Sequence, residues 1–313
     1  MQKFCVLGGG GFIGTNLILR LRDQGADLRA FGHPPTFPET VPGVAWTTGE
    51  FDDTEALWRC IDGCDVVYHL MGGSVPGKAD ADKVGDLRRS VENTVRMLEA
   101  ARGGGIGKIV FVSSGGTVYG ITDRLPIQEN MPTDPITAYG VSRLAIEKYL
   151  NLYRHQYGID YTILRVSNPF GEYQTARQGQ GLVATLLICA FTGRRFEMWG
   201  DGTTIRDYVY VGDVTNALLA AAHPRLPERV FNIGSGTGID VNEMICLVEA
   251  VVGQPITCLR RPSRPVDVPA SVLDVSRAGA LLGWRPTYAM PDALDRTARW
   301  MKAFLAKETA RGI

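Results

Sequence analysis

Four consecutive glycines, Gly8 to Gly11, and a fifth at Gly14 stand between a strand-like run, Phe4 to Leu7, and a helical stretch, Phe12 to Leu21. Few structures need so many residues without Cβ at a strand-to-helix junction. Glycine lets a backbone approach a bound group closely, and the start of a helix offers unpaired N–H groups and the positive end of its dipole. The run satisfies G-x-G-x-x-G at 9, 11 and 14 and the looser G-x-x-G-x-x-G at 8, 11 and 14. Its position after the first strand and before the first helix points to a pyrophosphate cradle rather than to a simple turn.

The following residues keep the rhythm that such a cradle requires. Apolar runs at Leu28 to Phe31, Val44 to Thr47 and Val66 to Leu70 alternate with helical patterns such as Thr54 to Ile61, which predicts βαβ units and a parallel sheet. Leu87 to Ala101, with apolar positions 87, 91, 95 and 98, predicts one helix, and Lys108 to Val112 a strand buried on both faces. A loop with Pro126, Pro132 and Pro135 leads to a helix from about Tyr139 to Tyr157 and a strand at Tyr161 to Arg165. Beyond Asn168 the rhythm is irregular, with no tandem repeat. The expected fold is a Rossmann-type, doubly wound α/β sheet over residues 1–167, followed by a smaller C-terminal α/β substrate region over 168–313. A segment near 206–235, with Val230 to Ile233 as its strand, is expected to return to the first sheet.

Charge narrows the class of ligand. The 33 Lys and Arg residues equal the 33 Asp and Glu, so no electrostatic basis exists for unspecific binding of nucleic acid or an anionic membrane. The apolar stretch Leu182 to Gly193 is too short to cross a bilayer. The chain reads as soluble, unsecreted and cytoplasmic. Its six cysteines, at 5, 60, 64, 189, 246 and 258, lack the paired spacing of a zinc site and are expected to be buried thiols. His33, His69, His155 and His223 have no metal-like spacing either, and His69 is expected to be a packed strand-end residue.

After the second strand, a dinucleotide fold usually carries an acid for the adenosine ribose. Here Gly32 and His33 follow, so both NAD and NADP stay open. Tyr139 and Arg143 lie one helical turn apart on the same face, and a phenol beside a fixed cation is a candidate acid and base for a sugar hydroxyl. Together with the glycine loop, Phe111-Val112-Ser113-Ser114, Val118-Tyr119-Gly120 and Arg206-Asp207-Tyr208, this pair makes the chain resemble the extended short-chain dehydrogenase/reductase family. More narrowly, it is similar to the sugar-nucleotide epimerase/dehydratase branch, close to UDP-hexose 4-epimerases, from Phe4 to about Pro286.

The resemblance implies a retained nicotinamide cofactor, NAD with NADP still open, contacted by Gly8, Gly11, Phe12, Ile13, Gly14, Gly32, His33, Glu50, Phe51 and Leu70. It implies Tyr139 as the catalytic base and Arg143 as the cation that supports it. Asn168, Arg206, Arg264, Asp267 and Ser271 would hold the nucleotide sugar, the arginines matching paired phosphate oxygens. A homodimer through the helices near Leu87 to Ala101 and Tyr139 to Tyr157 is implied as well, as is a place in polysaccharide biosynthesis.

Two departures touch the chemistry. Arg143 stands where the family usually has Lys, which keeps the charge but removes any proton relay through that residue. Gly115 stands where a Ser or Thr usually bridges the sugar and the tyrosine, and either Thr117 or Ser114, which flank it, could supply that hydroxyl, Thr117 being preferred. Gly116 and Thr117 replace the Asp-Glu pair of the 4,6-dehydratases, and Thr117 the Cys of the epimerase-reductases. What is left is C4 epimerisation through a transient 4-keto sugar. The small Ser271, at a position that gates the sugar pocket in the family, points to UDP-GlcNAc/UDP-GalNAc, alongside UDP-Glc/UDP-Gal. An NADP(H)-dependent reductase or dehydrogenase, and a dinucleotide-binding regulatory protein that has lost catalysis, are the competing readings.

Overall fold

The computed structural model describes residues 2–72, 76–103, 105–176, 181–223, 226–263 and 268–310. The strands are β1 (Lys3–Leu7), β2 (Asp27–Gly32), β3 (Ala45–Thr48), β4 (Cys64–His69), β5 (Ile106–Ser114), β6 (Asp160–Val166), β7 (Asn168–Phe170), β8 (Phe196–Trp199), β9 (Ile205–Tyr210), β10 (Val230–Ile233), β11 (Gly238–Asp240), β12 (Cys258–Arg261) and β13 (Ala270–Ser271). The helices are α1 (Phe12–Asp23), α2 (Thr54–Ile61), α3 (Pro76–Ala81), α4 (Lys83–Leu87), α5 (Asn93–Ala101), α6 (Ala138–Tyr157), α7 (Leu182–Thr192), α8 (Val211–Ala221), α9 (Val241–Val252), α10 (Ser276–Leu281) and α11 (Met290–Ala310).

Seven strands form one sheet in the order β10-β6-β5-β4-β1-β2-β3, and every pairing is parallel. Side chains alternate across the sheet. Cys5, Leu7, Phe31, Val67 and Phe111 pack on one face against Leu57, Met97, Ile146 and Leu150 of α2, α5 and α6. Val6, Ala30, Tyr68, Val110 and Phe231 pack on the other face against Leu17, Leu21, Val214 and Leu218 of α1 and α8. Burial on both sides explains why these strands read as continuous apolar runs. Strand order reverses between β1 and β4, so the crevice of the sheet opens beyond the C-terminal ends of those two strands.

A third core joins α7, α9 and α11 to β8 and β9 through Leu186, Phe196, Met198, Met244, Val248, Leu294 and Met301. The apolar stretch from Leu182 is therefore a buried core helix. Among the described residues, no helix is long and apolar enough to cross a membrane. Val230–Ile233 pairs with Ile163–Val166 at the edge of the large sheet.

The helix expected over Leu87 to Ala101 is interrupted. A π-helical turn, Arg88–Glu92, separates α4 from α5. Leu87 is exposed, while Asp86, Ser90 and Thr94 are buried. Their polar atoms have partners: the Ser142 hydroxyl of α6 donates to Asp86 at 2.7 Å, and the Thr94 hydroxyl donates to the Ser90 carbonyl at 2.6 Å. Of the expected apolar positions, Val91, Val95 and Leu98 do face the first core; only Leu87, before the π-helical turn, points outward.

Candidate active site

The glycine loop closes on itself at the end of β1. Gly8 has φ +80°, its N–H donates to the Phe31 carbonyl at 2.8 Å, and its carbonyl accepts from Gly11 N–H at 3.1 Å. A Cβ on Gly14 would lie 2.3 Å from the Gly8 carbonyl oxygen, so only glycine lets α1 start this close to the strand. Gly11, exposed, caps α1 without a side-chain hydrogen bond, and the first turn holds no acidic residue. The first N–H groups of the helix are thus left for an anion. Half-buried Phe12 and Ile13 anchor this turn in the third and second cores.

Beside the glycine loop, Gly32 takes φ +145° at the end of β2. His33 and Glu50 follow, both exposed, with His33 Nε2 at 3.0 Å from Glu50 Oε2. The structure thus pairs two residues that sequence reasoning treated separately. Phe51 is buried in the first core, edge-on to His69 at 5.3 Å between ring centroids. The Leu70 N–H bonds the Leu7 carbonyl at 3.0 Å, which locks the end of β4 beside β1.

His69 is a strand-end residue with no exposed surface. Its Nε2 lies 2.9 Å from the Thr94 hydroxyl, whose proton goes to Ser90, so Nε2 donates and Nδ1 is left bare. Burial, with the nearby Arg143 charge as a second cause, lowers its pKa from 6.5 to about 3.

The tyrosine helix starts against the loop after β5. Thr137 caps α6 by accepting from Gly140 N–H at 3.1 Å, and a Cβ on Gly140 would lie 2.9 Å from the Thr117 carbonyl. Glycine here brings Tyr139 next to Thr117. Tyr139 is half-buried, and its hydroxyl has no hydrogen bond among the described residues. The guanidinium of Arg143, a residue 7% exposed, lies 4.9 Å from the centre of the Tyr139 ring and 5.5 Å from that of Phe111. Its Nη1 donates long bonds, both 3.4 Å, to the carbonyls of Met71 and Val112, at the ends of β4 and β5.

The missing hydroxyl at 115 has a geometric reason. A Cβ there would lie 2.5 Å from Leu273 Cδ1 and 2.9 Å from the Arg165 carbonyl, away from open space. At Gly116 a Cβ would meet only Asn168 Nδ2, at 4.0 Å. Among the described residues the Thr117 hydroxyl is buried without a partner, and Ser114 is half-buried with its hydroxyl unbonded. Both candidate hydroxyls lie on the segment that carries Gly116.

Beside Gly116, Asn168 donates to the Asp207 carbonyl at 3.1 Å. Asp207 is a buried anchor, accepting from Ser235, Gly236 and Leu273, donors that oppose the upward push of burial on its pKa. Arg206 is half-buried, and the buried Ser271 of β13 is its register partner. Arg264 and Asp267 lie outside the described residues. Arg261 pairs with Glu197 at 2.6 Å and, with Trp199, Asp201, Thr203, Ser263 and Pro269, lines an open hollow beside β9 that the sequence did not announce. Among the described residues no cluster of His, Cys, Asp or Glu could hold a metal ion.

Residues 4–234 match the family model of the NAD dependent epimerase/dehydratase family. The chain belongs to this family. It is 34% identical to a UDP-glucose 4-epimerase of Mycolicibacterium smegmatis over 96% of this chain and 99% of that protein. It is also 34% identical to a UDP-glucose 4-epimerase of Azospirillum brasilense, over 95% of this chain and 90% of that one. The structure superposes on a UDP-glucose 4-epimerase of Thermotoga maritima solved with UDP-glucose at TM-score 0.92 and 29% identity, covering 97% and 100% of the two chains. For a UDP-glucose 4-epimerase of Thermus thermophilus in complex with NAD the TM-score is 0.89 at 29% identity, covering 96% and 99%. Like its family, the chain is an NAD-dependent epimerase of the extended short-chain dehydrogenase/reductase type. Its residues fit the dinucleotide: a Cβ at 14 would strike the Gly8 carbonyl and close the loop to a bound group, and the α1 N-terminus carries neither a side-chain cap nor an acidic residue that would oppose a pyrophosphate.

Proposed function

We propose that the protein interconverts the C4 epimers of a UDP-hexose, with Tyr139 as acid and base. The observation that supports this most is the arrangement of Tyr139: a phenol unbonded among the described residues, with the Arg143 cation held against its ring, on a helix packed against the Ser114–Thr117 segment. NAD held on the glycine loop would supply a reversible hydride acceptor at sugar C4. Tyr139 takes the proton of the C4 hydroxyl as that carbon is oxidised, and returns it after the 4-keto sugar has turned its other face. Arg143 stabilises the phenolate electrostatically and moves no proton itself. Thr117, or Ser114, donates to the sugar oxygen that Tyr139 titrates.

Asn168 and Arg206 would hold the uridine diphosphate from β7 and β9, together with Arg264 and Asp267. The substrate would then lie between the sheet region, residues 1–167 with β10, and residues 168–313. Serine at 271, buried beside Arg206, favours an N-acetylated sugar over a plain hexose. Val84, Leu87, Val141 and Leu152 are exposed apolar residues on α4 and α6, which supports a homodimer through these helices. All six cysteines are free, in keeping with a reducing cytoplasm.

The test is to release and identify the bound cofactor, then incubate the protein with UDP-GlcNAc and with UDP-Glc and resolve the C4 epimers by chromatography. Tyr139→Phe should retain NAD and lose epimerisation by at least about 100-fold. Full turnover in that variant removes Tyr139 from the chemistry. Net absorbance change at 340 nm with either sugar would instead indicate a dehydrogenase.

A further inference from the structure

The Arg143 guanidinium occupies a slot with four sides. The Tyr139 and Phe111 rings form two of them, and the carbonyls of Met71 and Val112 form a third. The fourth is the bare α-carbon of Gly72. A Cβ there would lie 2.1 Å from Nη2, 2.6 Å from Cζ and 2.8 Å from Nη1, so it would overlap the whole guanidinium plane. The backbone conformation does not call for glycine at 72, since its φ is not among the positive values, and the three atoms nearest to the missing side chain all belong to the Arg143 guanidinium.

We propose that Gly72 is a positioning residue for this epimerase: the missing Cβ sets where the Arg143 charge stands relative to Tyr139. The inference rests on the roles given to Tyr139 and Arg143 above. A planar guanidinium is broad and needs a flat wall, whereas an ammonium on a linear chain is compact. With alanine at 72 the long Arg side chain can swing aside without moving the backbone, so the fold persists while the charge leaves its place. A displacement of about 1 Å at a reacting group can cost on the order of 100-fold in rate. Lysine at 143 leaves room for the alanine methyl, so a second substitution should return the charge to the slot.

The experiment compares wild type, Gly72→Ala, Arg143→Lys, Gly72→Ala/Arg143→Lys and Tyr139→Phe, the two single variants closing the cycle. The readouts are kcat and KM for epimerisation, NAD affinity of cofactor-stripped protein by fluorescence titration, and Tm. Gly72→Ala should keep its Tm and KM while kcat falls about 100-fold and NAD binds more weakly. The double variant should recover at least about tenfold of the lost kcat together with NAD affinity, a coupling that independent sites do not show. Should Gly72→Ala not fold while the double variant does, the clash is demonstrated by rescue of folding. Wild-type kcat in Gly72→Ala, or a double variant no better than Gly72→Ala, overturns the proposal. Full activity in Tyr139→Phe would overturn the underlying catalytic reading instead, and the two failures are separate measurements.

Discussion

Replacing His69 by Gln should make the protein less sensitive to acid while leaving its packing at neutral pH nearly intact. The buried imidazole has its pKa lowered from 6.5 to about 3, first by burial and second by Arg143. Between these values the unfolded chain binds a proton that the folded one refuses. Stability therefore rises with pH across this window: the contribution is fully present above about pH 6.5 and is lost as pH falls toward 3. The slope approaches about 1.4 kcal/mol per pH unit, and integration from pH 7 to pH 5 gives a loss of about 2 kcal/mol from this residue alone. Gln keeps an N–H donor for the Thr94 hydroxyl, which His69 Nε2 now reaches at 2.9 Å, but it does not titrate. Urea unfolding at pH 7, 6 and 5 then reads the difference between the two proteins, so that all other titrating groups cancel. Wild type should lose about 2 kcal/mol more than His69→Gln over this range. Parallel stability curves would show that the imidazole protonates in place, and the argument from burial would fail. Because burial is the larger cause, Arg143→Ala should recover only a minor part of the acid sensitivity.

Gly115→Ser should lower stability by about 1–3 kcal/mol through overpacking and leave turnover no higher, because its Cβ meets Leu273 and the Arg165 carbonyl; a raised kcat with an unchanged Tm would contradict this. Thr117→Val removes a buried hydroxyl that has no partner among the described residues, so thermal melting of the ligand-free protein should stay level or rise while kcat falls at least about tenfold. Retained kcat would transfer the bridging role to Ser114. Glu147→Gln should cost about 3–5 kcal/mol in urea unfolding, since Glu147 is the buried partner of Arg165 at 2.6 Å and accepts from Ser113. Under native conditions a thiol reagent should modify Cys246 and Cys258 quickly, and Cys5, Cys60, Cys64 and Cys189 only on unfolding, as their exposure dictates; fast labelling of the buried four would show local opening of the cores that hold them and contradict this.

The parallel sheet was legible because its signals are local. A strand buried on both faces must be apolar throughout, as in Ile109 to Val112, and a glycine cradle must sit at a strand-to-helix junction. The π-helical turn before α5 was not legible. It depends on Asp86 meeting Ser142 and on Thr94 meeting His69, contacts across 56 and 25 residues. Apolar spacing predicts Leu87 inward, and these polar partners place it outward instead. In the region after Asn168 short strands pair across long gaps, as β9 does with β7, β11 and β13. Such pairings leave little periodicity to read.

The site divides along the same line. Tyr139 and Arg143 share a helix face, so their proximity follows from spacing alone, and the substitution of Arg for the usual Lys is visible as a change of residue. The room for that change is not visible, because Gly72 is far from Arg143 in the chain and looks like any loop glycine. Gly115 carries the opposite lesson. Read as a sequence, it is a lost hydroxyl; in the fold, its side-chain direction points at Leu273 and the Arg165 carbonyl, so a serine there could not serve the crevice. The neighbouring Gly116 has only Asn168 near it, and the unpartnered Thr117 hydroxyl follows directly. Two apparent defects, at 115 and 143, are therefore matched by local geometry. A chain drifting away from catalysis has no reason to keep a slot shaped to a guanidinium around Arg143, which favours an active epimerase over a cofactor-binding relic.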